Sequence, residues 1–309
     1  MTLIRRTLTT LGGAAAAILV AAVPAHATWS VIGTDPATGE VGVAVASCVP
    51  GEVVVVPVLV PGTGAAASQA NLNGSSGDPL VADLQAGQTA QQVIANVTAP
   101  SFDASVAQRQ YGVVTMTGTA AGYSGTDIPN VFGASQNADQ TASVQGNTLA
   151  SEAVLTQTLA AYDAAAGQPL PDRLLAALSA GSAAGGDSRC GARTASSAAL
   201  LVAKPGDPVW NQTSAGFHVD INKVATPSIF VSVVPGGKTN PVDTLNQAYR
   251  EAAAKGTPVK VQQLPWMLRT FGVPSAVVWL AAAAIGLLVI IIGGIFWTVR
   301  RVRRRRRTA

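Results

Sequence analysis

Unbroken apolar runs of strand length, set between turn-rich connectors, dominate the pattern of this chain. Residues 28–35 (TWSVIGTD) and 40–47 (EVGVAVAS) are β-type runs joined by the turn-forming PATGE, which predicts a hairpin. The apolar stretch 53–70 (VVVVPVLVPGTGAAASQA) reads as buried strand, with Pro57 and Pro61 confining its pairing to edges or bulges. Helices are expected over DPLVADLQAG and TAQQVIANV, the first opened by Asp78-Pro79 and closed by Gly87. Strands follow at RQYGVVTMTG and at TASVQGNTLA, the latter ending in a Gly-Asn turn. Two more helices are expected, from Ser151 to Ala166 and from Leu170 to Ala180, with Pro171 in the first turn of the second and Gly181 just past its end. After the glycine-rich GSAAGGDSRCGAR come three strand candidates, SSAALLVA, GFHVDI and SIFVSVV, and an amphipathic helix, NPVDTLNQAYREAAAK.

Strands and helices therefore come in blocks. That order argues for an α+β fold with antiparallel sheets, two of them face to face with helices outside, and against the strict alternation of a doubly wound fold. No internal repeat of fixed period is present, and residues 28–255 suit one domain, with a linker over 256–273.

The two ends change the picture. Residues 1–27 have the parts of a signal peptide: Arg5 and Arg6, an apolar run from Ala14 to Val23, and the ending Ala25-His26-Ala27. A retained anchor is the competing reading, and a cut after Ala25 is permitted by Val23 and Ala25. Residues 274–299 contain no charged residue, carry Trp279 and Trp297 near their edges, and are long enough for a single transmembrane helix. Seven arginines crowd residues 300–309, which the positive-inside rule places in the cytoplasm, so the bulk of the chain is expected outside the cell. The sorting sequence LPxTG, which would suit attachment to a cell wall, is absent: the nearest text is LPWMLRT at Leu264.

Charge follows topology. The chain carries +4 overall, but two basic residues lie in 1–27 and seven in the tail, leaving 11 basic against 16 acidic residues in 28–273. Nucleic-acid binding is excluded on that balance, and the basic tail suits anionic headgroups. The only cysteines, Cys48 and Cys190, are expected to pair in an oxidising compartment, a catalytic cysteine being the sharper alternative. His26 would leave with the signal peptide and His218 sits in a strand-like run. With so few ligands no zinc site, and no cofactor, is expected.

Cleavage after Ala27 would make Thr28 the first residue. An N-terminal Thr carries its own base, because the α-amine, titrating at about 8, sits beside the hydroxyl it deprotonates. Alone, that signal is weak. From Thr28 onward, however, the chain resembles the bacterial family called domain of unknown function 1028, through TWSVIGTDPATGEVGVAVAS, GAAASQAN from Gly64, RQYGVV from Arg109, SVQGNTLAS from Ser143, AGSAAGGDSR from Ala180 and SSAALLV from Ser196. The chain departs from the family at Ser68-Gln69-Ala70, at NLNGSSGDP and in the loop SRCGAR.

This family is grouped with the N-terminal nucleophile (Ntn) hydrolases, so the resemblance implies a four-layer αββα sandwich and places Thr28 where such folds carry the nucleophile. The partners expected for Thr28 are Asp35, Ser47, Gly146, Asn147 and Asp187. A backbone N–H of the VQGN turn and the Asn147 amide are the expected oxyanion donors. Each has a structural alternative: a plain chain-reversing turn for Gly146-Asn147, turn shaping by Asp35 before Pro36, an ion pair with Arg189 or Arg193 for Asp187, and core packing for Ser47. Gln69 reads as a buried amide and Trp29 as packing. The expected function is an exported, membrane-anchored amidohydrolase acting on a small-molecule or peptide amide, and the alternative is a catalytically silent domain that binds a ligand or an envelope component.

Overall fold

The computed structural model describes residues 28–49, 51–129, 133–211, 218–265 and 268–269. The expected signal peptide, the apolar stretch 274–299 and the basic tail lie outside the described residues. Among the described residues no helix is long and apolar enough to cross a membrane.

The expected hairpin forms as β1 (Thr28–Asp35) and β2 (Glu40–Ser47), paired antiparallel from Thr28↔Ser47 to Asp35↔Glu40. Residues 53–70 divide into β3 (Pro57–Val60) and β4 (Gly64–Ala70), a hairpin of its own. Pro57 opens β3, where no ladder donor is lost, and Pro61-Gly62 supplies the turn, Gly62 at φ +72°. Helices α1 (Gly77–Gln85) and α2 (Ala90–Val97) follow as expected, α2 with a capping box between Thr89 and Gln92.

Next come β5 (Arg109–Thr115), β6 (Thr119–Ser124), β7 (Ala134–Gln136) and β8 (Ala142–Asn147). Then come α3 (Ala153–Ala164) and α4 (Leu170–Ala183). The chain continues through β9 (Ser197–Ala203), β10 (Trp210–Asn211), β11 (Ile229–Val233), α5 (Pro241–Ala253) and β12 (Val259–Gln263). β6, β7, β10 and β12 escape the sequence reading, being short or polar. β12 falls where a linker was expected and adds parallel to β11. His218 to Ile221, by contrast, form no strand.

The strands make two sheets, β12-β11-β9-β2-β1-β8-β7 and β10-β3-β4-β5-β6. Three apolar clusters show how they are layered. Ile32, Val43 and Val45 meet Leu59, Ala65 and Val114 between the sheets. Trp29, Val31 and Val144 pack on the other side of the first sheet against Leu155, Leu174 and Leu178 of α3 and α4, with α5 alongside. Val58, Ala66 and Val113 pack outward against Leu80, Leu84 and Val93 of α1 and α2. The fold is thus mixed α+β, two facing sheets with helices on both outer faces.

Two features depart from local expectation for reasons of packing. Gly181 lies inside α4, not past its end. A Cβ there would stand 2.7 Å from Trp29 Nε1, so the glycine admits the indole. Glu52, 1 % exposed, accepts from Ser232 Oγ at 2.7 Å, Gln262 Nε2 at 2.8 Å, Val219 N at 3.1 Å and His218 Nδ1 at 2.8 Å. One carboxylate thereby ties β11, β12 and the 218–219 segment to the chain that follows β2, which offsets its desolvation.

Candidate functional site

Because side chains alternate along a strand, Thr28, Ser30 and Ile32 face the second sheet while Trp29 and Val31 face the helices. At the Thr28 end, the layer between the sheets turns from apolar to polar. Ser143, Gln145 and Asn147 of β8, and Gln69 and Gln110 from the opposing sheet, join Thr28 and Ser30 there, all at most 4 % exposed. Gly112 makes room for this layer: a Cβ on it would lie 2.0 Å from Gln145 Oε1.

The orientation of the amides is determined by one acceptor that cannot donate. Gln110 Nε2 donates to the Gly146 carbonyl at 2.9 Å and to Ser124 Oγ at 2.8 Å, which turns Gln110 Oε1 the other way. That oxygen accepts from Gln69 Nε2 at 2.8 Å and Asn147 Nδ2 at 3.0 Å. Gln69 Oε1 in turn accepts from Ser30 Oγ at 2.7 Å, and Ser30 Oγ accepts from Gln145 Nε2 at 2.5 Å. Asn147 Oδ1 is left with no hydrogen-bond partner among the described residues, although Asn147 is fully buried. A buried amide oxygen in that condition is costly unless a further donor meets it.

Thr28 stands directly opposite Asn147 on one side and Ser47 on the other. Its Oγ1 donates to Ser47 Oγ at 3.0 Å, and Gln69 Nε2 donates to its carbonyl at 3.4 Å. Thr34 N donates to Thr141 O, immediately before β8, at 2.9 Å. Alternate residues of an antiparallel strand repeat that direction, so the Thr28 nitrogen faces the Asn147 backbone carbonyl. Thr28 thus begins its strand directly opposite Asn147, a residue whose side-chain oxygen is unpartnered.

Of the residues expected around Thr28, Ser47 and Asn147 are therefore brought to it. Gly146 is in the layer through its carbonyl, which accepts from Gln110. Asp187 is fully buried but faces elsewhere: it accepts from Cys48 N at 2.7 Å and from Arg189 Nη2 at 2.8 Å, and it pairs with Leu149 in an isolated bridge. It acts as an anchor between the end of β2 and the short 3-10 turn Ser188–Arg193. The Cys48–Cys190 disulfide, with an S–S length of 1.97 Å, joins the same two segments. Asp35 is at the far end of β1, seven residues along, or about 23 Å at strand rise, and accepts from Ala37 N in the hairpin turn. It cannot orient the Thr28 amine at that distance.

The Gln110, Gln145 and Ser30 side chains were not singled out from sequence. The signal that finds them is a period-two polar row inside otherwise buried strands: Thr28 and Ser30 on β1, Ser143, Gln145 and Asn147 on β8.

Of the four non-glycine residues with positive φ among the described residues, Gln140 lies before β8 at its far end and the other three near the Thr28 end. Ala70, Thr148 and Thr194 have positive φ, 69°, 52° and 59°. Ala70 and Thr148 directly follow Gln69 and Asn147, while the Thr194 carbonyl accepts from Asp187 N. A β-branched residue in the left-handed region is an outlier that the surroundings must enforce. Thr148 is held by N–H donation to Pro129 O at 3.1 Å and by acceptance from Ser188 N at 3.1 Å. Beside Ala70, Arg109 binds Asp103 through Nε at 2.7 Å and donates to the Asn71 carbonyl. The guanidinium holds the Asp103 carboxyl below its ordinary 3.8, and burial pushes the Tyr111 phenol up.

Comparison with known proteins agrees with the resemblance read from sequence. No curated protein matches. A crystal structure of protein SPO2555 from Silicibacter pomeroyi, described as belonging to DUF1028, is similar with a TM-score of 0.57 and 26 % identity, covering 74 % of this chain and 86 % of that one. The model of the family of unknown function DUF1028 matches residues 28–227, beginning at the residue on which the polar layer converges. With most of its described domain inside that match, the chain belongs to the DUF1028 family.

Proposed function

We propose that the domain is an exported Ntn-type amidohydrolase on an αββα sandwich, with Thr28 as nucleophile and its own α-amine as base. The observation that carries this reading is the geometry at the start of β1, where Thr28, its hydroxyl bonded to Ser47, lies directly opposite Asn147, whose buried Oδ1 is unpartnered. The strained residues Ala70 and Thr148 beside that point are a second support.

In the proposed reaction, cleavage after Ala27 turns the Thr28 nitrogen into an amine. Asn147 Oδ1 accepts one of its protons and fixes its lone pair toward Oγ1. The amine takes the hydroxyl proton as Oγ1 bonds to the substrate's carbonyl carbon. The resulting ammonium protonates the leaving nitrogen when the amide C–N bond breaks, leaving an ester on Thr28. Water then attacks that ester, with the amine again taking its proton, and the carboxylic acid is released. Ser47 Oγ orients the Thr28 hydroxyl before attack, and the second Asn147 N–H serves the oxyanion. The apolar stretch 274–299 tethers the domain to the membrane in this reading.

One observation favours a second reading, a silent scaffold that binds an envelope component: Thr28 is only 4 % exposed. Mass spectrometry of the natural protein separates the two at the first step. A mature chain beginning at Thr28 is expected, and a start at His26 or an uncut leader overturns the hydrolase. With Thr28 first, a hydroxyl-directed covalent amide mimic is expected to label the wild type one to one and to leave Thr28→Ala unlabelled.

A further inference from the structure

The sheet register places the two ends of the domain on the same side of the molecule. Gln263, the last residue of β12, pairs with Val233 of β11. Val233 pairs with Ala198 of β9, Ala198 with Ala46 of β2, and Ala46 with Trp29 of β1. The chain therefore leaves the sheet level with its point of entry, four strand spacings or about 19 Å away.

Beyond Gln263 the chain stays close: Leu268 is 1 % exposed and Arg269 N donates to Pro265 O at 3.0 Å. From Arg269 to Pro274, where the uncharged stretch begins, there are five residues, a reach of at most about 18 Å. The apolar run 14–23 precedes Thr28 at the same end. The opposite end, with the Pro36–Gly39 turn, is a whole strand length away, about 26 Å. A leash that short keeps the near end down.

Resting on the proposed hydrolase and on 274–299 as its membrane span, we infer that the Thr28 end of the sandwich faces the bilayer and that the substrate is an amide presented from the lipid surface. An acyl amide carried by a membrane-embedded molecule reaches Thr28 without leaving the leaflet. A freely soluble amide has to enter the narrow space between domain and membrane. The same placement puts the Ala27–Thr28 bond at the membrane surface.

The test uses the full chain reconstituted in phosphatidylcholine vesicles with 20 mol % phosphatidylglycerol. Single cysteines are placed at Lys238, exposed in the loop after β11 at the Thr28 end, or at Ala37, exposed in the opposite turn. Arg193 holds the Lys238 loop in place through Thr239 O at 2.9 Å and Pro235 O at 2.8 Å. The native cysteines, being bridged, do not take the label. A fluorophore on Lys238→Cys is expected to be quenched by headgroup-spin-labelled lipid at least twofold more than one on Ala37→Cys. Equal quenching, or stronger quenching at Ala37, overturns the orientation.

Release of the full chain by alkaline carbonate overturns the span on which the orientation rests. For the substrate, one fluorogenic N-acyl amide is offered on a vesicle-anchored and on a soluble carrier. Thr28-dependent cleavage at least tenfold faster on the vesicle supports the inference. Equal rates overturn the substrate class while leaving the hydrolase intact, whereas no Thr28-dependent cleavage of either carrier overturns both.

Discussion

Asn147 is the residue whose chemistry is most tightly constrained, because the Gly146 carbonyl orients Gln110 and Gln110 orients Asn147. Replacing it by Asp puts a carboxylate beside the proposed Thr28 amine, which favours the ammonium and is expected to move the acid limb of the pH–rate profile upward. Asn147→Leu is expected to lower the maximal rate at least tenfold without that shift. Profiles identical in both variants would remove the amide from the mechanism.

Nearby, Gly186 has φ +53°, and a Cβ there would lie 2.8 Å from Trp29 Cη2 and from Thr194 O, whereas Gly191 has φ +55° with nothing within 4 Å. Gly186→Ala should therefore cost about 2–4 kcal/mol in urea unfolding, and Gly191→Ala about 1. Asp103→Asn is a test of charge. Its carboxyl is held low, chiefly by the Arg109 hydrogen bond, so the pair's stabilisation is complete above the ordinary carboxylate range and disappears as pH falls through the lowered value. The variant is expected to be about 1–2 kcal/mol less stable at pH 6, and the gap to close below pH 4.

Among the elements, the ones legible in the sequence are those whose local pattern and tertiary role agree. β1, β2, β9 and β11 are long apolar runs that become central strands, and α1, α2 and α5 carry their own start signals in Asp78-Pro79, Thr89 and Asn240. β6 and β12 are not legible in the sequence because each is polar or half-exposed, and only its neighbour in the sheet makes it a strand. α4 runs past its expected end for a similar reason, since Gly181 serves Trp29 and not helix termination. The candidate site was legible in Thr28 and its two strand partners; the glutamines were hidden because they act across a sheet interface from positions 69, 110 and 145. Two elements invite direct tests. Glu52→Ala leaves four donors without their acceptor, Val219 N and Ser232 Oγ among them on buried residues, and is expected to cost about 3–5 kcal/mol, read by urea denaturation. Reducing the Cys48–Cys190 bridge, which spans 142 residues, should lower stability by about 5 kcal/mol on the chain-entropy estimate, read by thermal unfolding with and without reductant.

For the molecule as a whole, the arrangement of the sheets determines what a leader-cleaved chain looks like. β1 lies fifth of seven strands in its sheet, paired with β2 along one side and β8 along the other from its first residue. Chain termini ordinarily fray, because one edge or none holds them. Here a newly cut end would be clamped on two sides by ladders and beneath by Trp29, seated among α3 and α4. An exopeptidase, which must draw several residues of slack chain into its own cleft, finds none to take, so Thr28 would outlast the trimming that shortens most exposed amino termini.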